Sequence, residues 1–183
     1  MRPLILIALL SALFTAPAMA YETMYPRTEA GVVEVKELPA RRALAARGSG
    51  TYFKSADGVF MKLFRYIDRN QVAMTVPVEA DVQENRMRFF AGADTQDRAL
   101  PDTETVTVTN LPALTVASAG LRGAYTEENF ARGRAQVQQW LEQHADQWEA
   151  AGEPYAVFWN SPFMPGFLKR SEVHQPLRNR AAP

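Results

Sequence analysis

Hydrophobic and polar residues along this chain change period several times, and each change marks an element. Gly31 to Leu38 alternates, with Val33 and Val35 on one face, which predicts a strand. Pro39 punctuates it, and Ala40 to Arg47 reads as the return strand. From Tyr52 to Ile67 the spacing turns helical, through Phe53, Phe60, Leu63, Phe64 and Ile67. Val72 to Val82 predicts a strand, paired with Arg86 to Ala91 as a hairpin around Glu84-Asn85. The pattern then recurs. Strands are predicted near 104–111 and 113–121, and a helix over about 126–149 with Phe130, Val137, Leu141, His144 and Trp148 on one stripe. The last strands are predicted over Tyr155–Asn160 and Arg170–His174.

The recurrence is a duplication. Val33-Glu34-Val35-Lys36-Glu37-Leu38-Pro39-Ala40 aligns with Val106-Thr107-Val108-Thr109-Asn110-Leu111-Pro112-Ala113 at an offset of 73. The same offset brings Gly50 to Gly123 and Tyr52 to Tyr125. Each copy reads as ββαββ, which predicts an α+β fold. Two pseudo-symmetric repeats would form a distorted antiparallel β-barrel or sheet flanked by two helices. A ligand pocket is expected at the seam, which neither half fills alone.

The first twenty residues stand apart from this pattern. Arg2, the apolar run Leu4–Phe14 and the ending Ala18-Met19-Ala20 predict a signal peptide over 1–20, with the mature chain starting at Tyr21. The run is too short to span ~30 Å of hydrocarbon and Pro17 interrupts it, so no stable membrane anchor is expected. One domain over 21–177 and a flexible tail over 178–183 complete the expected organisation. Twenty basic and twenty acidic residues cancel, and loss of Arg2 leaves the mature chain at −1. Nothing in that balance favours nucleic acid. The chain has no cysteine, so disulfides and thiolate metal sites are excluded. A periplasmic, monomeric protein is expected.

Several segments, in order, carry a family resemblance. Leu63-Phe64-Arg65-Tyr66-Ile67 precedes Val72-Ala73-Met74-Thr75-Val76-Pro77-Val78. Arg88-Phe89-Phe90, then Tyr155-Ala156-Val157-Phe158-Trp159-Asn160-Ser161-Pro162, then Lys169-Arg170-Ser171-Glu172-Val173 follow. This set resembles the SOUL family of haem-binding proteins over nearly all of residues 21–177, with Ser171 and His174 departing from the terminal pattern. The resemblance implies a two-repeat barrel of the effector-binding type and a haem or other tetrapyrrole ligand. It implies a non-enzymatic carrier or buffer of the cell envelope.

A porphyrin needs apolar and aromatic walls with cations at the rim. Phe60, Met61, Phe64 and Arg65 on the first helix supply such materials. So does the loop with Phe163, Met164, Phe167 and Lys169, which Pro162, Pro165 and Gly166 punctuate. Two readings stay open for Phe60 and Phe64, core packing or a ligand wall. Of the two histidines, His144 reads as a packing residue, and His174 is the candidate axial ligand for haem iron. Motifs for nucleophilic catalysis, zinc hydrolysis or phosphate binding are absent from the sequence. The alternative is a small hydrolase or a sensor acting on another hydrophobic molecule in the same pocket. As a hydrolase it would use Glu172 as base, paired with Tyr66 or Tyr155.

Overall fold

The computed structural model describes residues 21–95 and 97–181. The predicted signal peptide therefore lies outside the described residues. In chain order the elements are β1 (Glu22–Thr23), β2 (Val33–Leu38), β3 (Arg41–Arg47), α1 (Tyr52–Arg69), β4 (Thr75–Val76), β5 (Val78–Asp81) and β6 (Arg86–Phe90). The second half gives β7 (Thr107–Leu111), β8 (Leu114–Arg122), α2 (Glu127–Gln143), β9 (Trp148–Ala150), β10 (Tyr155–Phe158) and β11 (Arg170–Asn179). Nine strands make one strongly curled antiparallel sheet in the order β2-β8-β11-β10-β5-β6-β3-β7, with β9 on the end of β11. The fold is α+β, a half-barrel with two helices on its outer face.

The predicted β2–β3 hairpin does not form. β2 pairs with β8, and β3 pairs with β7 and β6. A two-residue hairpin needs positive φ at its centre. Pro39 is locked at negative φ, and neither Pro39 nor Ala40 is among the positive-φ residues. The chain bends there without reversing. Residues 33–47 thus form one long kinked strand, and 107–122 form its counterpart. Val33 faces Ala119 and, beyond both Leu-Pro corners, Ala45 faces Thr107; both ladders share the register in which partner numbers total 152. Exchanging each strand for its counterpart at the 73-residue offset converts one ladder into the other, so the duplication is visible as a pseudo-twofold.

Alternation along each strand separates two faces. Leu44, Ala80, Met87 and Phe89 face α1 and pack on Val59, Leu63, Tyr66 and Ile67. Ala117, Ala119, Leu121 and Val173 face α2 and pack on Val137. The opposite face carries no helix. There the sheet curls over an interior that also receives Tyr25, Val116, Tyr155, Val157 and Trp159. The segment after Tyr21 is woven in by parallel β1·β4 pairing and by the Met24 amide donating to the Val76 carbonyl at 2.9 Å.

Two boundaries differ from the periodicity. The second helix stops at Gln143, six residues before its predicted end, because His144 closes it and Trp148–Ala150 pairs with β11. β11 itself runs on to Asn179, two residues into the tail expected from 178, and Leu177, Arg178 and Asn179 pair with β9. The first end of α2 follows rule. Thr126 caps it by accepting from the Asn129 amide at 3.2 Å, and Glu127 and Glu128 sit in the first turn.

Gly133 lets α2 lie close on the sheet. A Cβ there would stand 2.5 Å from Val173 Cγ2 and 2.7 Å from Leu121 Cδ1. Gly58 of α1 has nothing within 4 Å of such a Cβ. In urea denaturation, Gly133→Val is expected to lose about 1–3 kcal/mol through overpacking. Gly58→Ala is expected to gain about 0.5–1 kcal/mol by restricting the unfolded chain.

Candidate functional site

The groove between α1 and the segment after β10 is the apolar site on the helix-covered side. Phe60 and Phe64, one helical turn apart, stack with centroids 6.1 Å apart and planes at 15°, forming a flat wall. Val78 and Phe158 form the floor, and Asn160 and Pro162 the far wall. Two contiguous chambers of about 190 and 250 Å³ share these residues. Ligand pockets commonly run roughly 300–1,000 Å³, so together the two chambers fall in range. Met74 and Tyr21 close one end, and Tyr125 and Lys169 the other.

The far wall is stapled at its base. Asn160 Oδ1 accepts from the Arg170 amide at 2.6 Å, and the Tyr125 hydroxyl donates to the Arg170 carbonyl at 3.0 Å and accepts from the Asn160 amide at 2.9 Å. Burial pushes the Tyr125 phenol up to about 12 despite these backbone contacts, so it stays neutral. Lys169 Nζ donates to the Pro162 carbonyl at 2.7 Å and lies 4.7 Å from the centre of the Tyr125 ring. Above this base the loop projects outward. Phe163 is 87% exposed and Phe167 72%, values hard to reconcile with a role in the core.

The structure brings Phe60, Phe64, Phe163 and Lys169 to the groove. Met61 and Arg65 lie on α1 facing solvent, and Met164 and Phe167 sit in the loop without lining either chamber. Sequence reasoning missed Tyr125, Phe158 and Asn160. Tyr125 was visible as the counterpart of Tyr52, and Asn160 as the residue that ends a β-branched and aromatic run.

His174 is elsewhere. It points into the helix-free interior and is 0% exposed. Its Nε2–H donates to Glu172 Oε2 at 2.6 Å, and its Nδ1 lies 3.2 Å from the Tyr155 hydroxyl. Both ring nitrogens are engaged and the ring is fully buried on the helix-free side, so His174, expected as the axial ligand, does not bring a nitrogen to the groove. His144 caps α2, with Nδ1 2.8 Å from the Trp140 carbonyl and its ring stacked on Trp140. Among the described residues no group of three or more metal-ligating side chains converges.

Glu172 is the centre of that interior. Its carboxylate accepts from the Thr28 amide at 2.6 Å, Trp159 Nε1 at 2.9 Å, Ser118 Oγ at 2.9 Å, Lys36 Nζ at 3.0 Å and His174 Nε2. Burial pushes its carboxyl up, but the hydrogen bond and charge of His174, the Lys36 ammonium and the Thr28 amide together hold it below the usual carboxylate range. A base needs an unspent lone pair and a raised value, and Glu172 has the reverse. Neither tyrosine proposed as its partner bonds to it. Tyr66 donates to the Pro101 carbonyl at 2.8 Å, and Tyr155 meets His174.

Beside it, Glu79 accepts from Tyr25 at 2.9 Å and from Arg41 Nη2 at 2.8 Å. Burial first, and the Glu79 charge next, push Tyr25 and Tyr155 far up, so both remain neutral donors. Among the described residues, no helix is long and apolar enough to cross a membrane.

A group lowered in the folded state contributes stability above its unfolded value and loses it as pH falls through the folded one. Glu172→Gln is therefore expected to cost about 3–5 kcal/mol at pH 7, because it strands buried donors. Urea midpoints should converge with the parent only below pH ~4.3. A gap that persists unchanged at low pH would disprove an ionised Glu172.

The family described as SOUL heme-binding protein matches residues 17–176. No curated protein matches the chain. Among solved structures, EcmrR in its DNA complex superposes with a TM-score of 0.64 at 13% identity over 80% of this chain, which spans only 57% of that one. The EcmrR C-terminal domain gives 0.60 at 13% identity, covering 80% of this chain and 97% of that one. A protein described as a hydrolase from Listeria innocua gives 0.54 at 11% identity, covering 82% and 94%. At such identities these likenesses concern the fold alone.

Proposed function

We propose that this chain, which belongs to the SOUL heme-binding protein family, holds haem or a related tetrapyrrole in the groove between α1 and the 160–169 loop. It acts there as a carrier or buffer of the cell envelope and catalyses nothing. The observation that carries this reading is the flat Phe60–Phe64 wall facing a loop whose Phe163 has no protein partner to cover it. A planar apolar ligand between them would bury both surfaces. Lys169 at one end and Arg65 on the exposed side of α1 are the cations available to propionates.

The residues present fit the plate. Among those lining the groove, Met74 and the tyrosines Tyr21, Tyr52 and Tyr125 are of types known to ligate haem iron, and of these the Tyr125 hydroxyl is already tied to the Asn160 and Arg170 backbone. When bound, haem would supply redox-active iron. The chain's own residues would cover its faces, exclude water and neutralise its acid edge. Carrier action is favoured over hydrolysis because Glu172, the candidate base, is spent on five donors on the far side of the sheet. The cell-envelope reading rests on the predicted signal peptide. It is supported by the way Tyr21 onward is built into the fold, with the Glu22 carboxylate accepting from the Ala93 amide at 3.0 Å.

Hemin titrated into the mature chain should give a saturable Soret shift. Phe60→Ala combined with Phe163→Ala is expected to weaken it about tenfold or more. Met74→Leu and Tyr21→Phe should reveal any axial contribution through the position of the Soret band. Absence of saturation, together with ester turnover abolished by Glu172→Gln, would sink this reading in favour of a hydrolase.

A further inference from the structure

The face of the sheet turned away from both helices carries a second cavity, separate from the groove. Strand alternation makes the separation: Val78 and Met87 face the groove, whereas Glu79 and Arg88 face the other way. Two open chambers of about 440 Å³ each meet along Arg88 and Leu111.

The chamber over β3, β6 and β7 has the shape of a trough. Arg88 lies opposite Ala45, and Ala45 lies opposite Thr107, in one row across three strands. Ala43 extends the floor and faces Thr109. Small side chains on the middle strand leave a gap of about two strand spacings, roughly 10 Å, between a guanidinium wall and a hydroxyl wall. Arg47, Arg86 and Arg88 stand in this chamber against the single carboxylate Glu104.

Arg88 is the unspent group. Its side chain is 15% exposed, and the carboxylate oxygen it pairs with, Glu79 Oε2, is 3.9 Å away, beyond hydrogen-bond length. Its neighbours are committed: Arg86 to Asp81 and Glu84 at 3.1 Å each, Arg41 to Glu79 at 2.8 Å. Arg41 Nε, just behind, is buried without a partner. Donors therefore outnumber acceptors here, and the Arg88 guanidinium, sheltered but opening onto the trough, is placed to take a further acceptor. Burial, and then Arg86, pull the Arg88 value down by more than Glu79 and Asp81 raise it.

We propose that this trough binds a small molecule through an oxyanion group, carboxylate or phosphate. The Arg88 fork grips the oxyanion, the Thr107 and Thr109 hydroxyls face it, and Ala43 and Ala45 provide the floor. The anion is confined to this side, because the adjoining chamber carries Glu79, Asp81, Glu84 and Glu153. The site is independent of the tetrapyrrole reading and shares no residue with that groove.

Calorimetric titration with inorganic phosphate and with citrate, at ionic strength held constant with sodium chloride, tests this. Saturable binding of either is expected, and which one binds assigns the oxyanion. Arg88→Gln should weaken it at least about tenfold, the loss of a charge-assisted bidentate contact. Arg88→Lys should recover only part. Ala45→Leu, which fills the trough without touching a charge, should abolish binding and decides the matter if Arg88→Gln does not fold. Hemin titration should be unchanged in Ala45→Leu. Failure of both anions to bind the parent chain, or parent-like binding by Ala45→Leu, overturns the proposal.

Discussion

Glu172 holds a negative charge at a point of the molecule that water does not reach, and five donors from five separate stretches of chain keep it there. Thr28 belongs to the N-terminal segment, Lys36 to β2, Ser118 to β8, Trp159 to the exit of β10 and His174 to β11. Each would be an unmet buried donor without the carboxylate, and the carboxylate would be an unpaired buried charge without them. The two repeats and the segment that precedes them are thus tied at one atom pair. The interior of the half-barrel closes around this knot: Tyr25 packs edge-on to Trp159 and lies against His174.

That closure decides where ligands can go. A half-barrel whose helix-free interior is filled with Tyr25, Trp159 and a saturated carboxylate has no room there for a planar apolar molecule. Space remains at the seam on the helix side, where α1 and the loop after β10 stand apart, and on the open end of the helix-free face, beyond the knot. The first is aromatic and the second cationic. Both follow from period-two alternation in β5 and β6, which sends Val78 and Met87 one way and Glu79 and Arg88 the other.

Alternation and helical spacing in the sequence located most elements, and self-comparison located the pseudo-twofold, because both are local or linear properties. Strand partnership was not local. Whether 40–47 folds back on 31–38 or crosses to the other repeat depends on φ at Pro39 and on the availability of the second copy. The end of α2 was overrun because Trp148 continues the apolar stripe while its backbone already pairs with Asn179. Phe60 and Phe64 could not be separated from Leu63 and Ile67 by period, since all four are apolar and only the position of the sheet says which are covered. His174 carried a readable clue. It lies two residues from Glu172 on a strand, so the two share a face, and a carboxylate there competes for the imidazole. Arg41 had no such signal, because its meeting with Glu79 and Arg88, which face each other across the β5–β6 hairpin, depends on a strand distant in sequence.

Divergence between the two copies explains why the groove lies under one helix and not the other. Both helices bury residues at the same intervals: Val59, Leu63, Tyr66 and Ile67 on α1, and Gly133, Val137, Trp140 and Leu141 on α2. The matching positions are one residue further apart than the 73 that relates the strands. Where α1 has Val59, α2 has Gly133, whose missing side chain is filled by Val173 and Leu121 of the sheet. α2 can therefore lie flat and leave no gap. α1 keeps a full side chain at that level, and the space beside it is lined by the next residue, Phe60. A duplicated unit that packed identically twice would have two grooves or none. Sealing one helix with a glycine leaves the other free to border a site, which is how a symmetric scaffold yields a single groove.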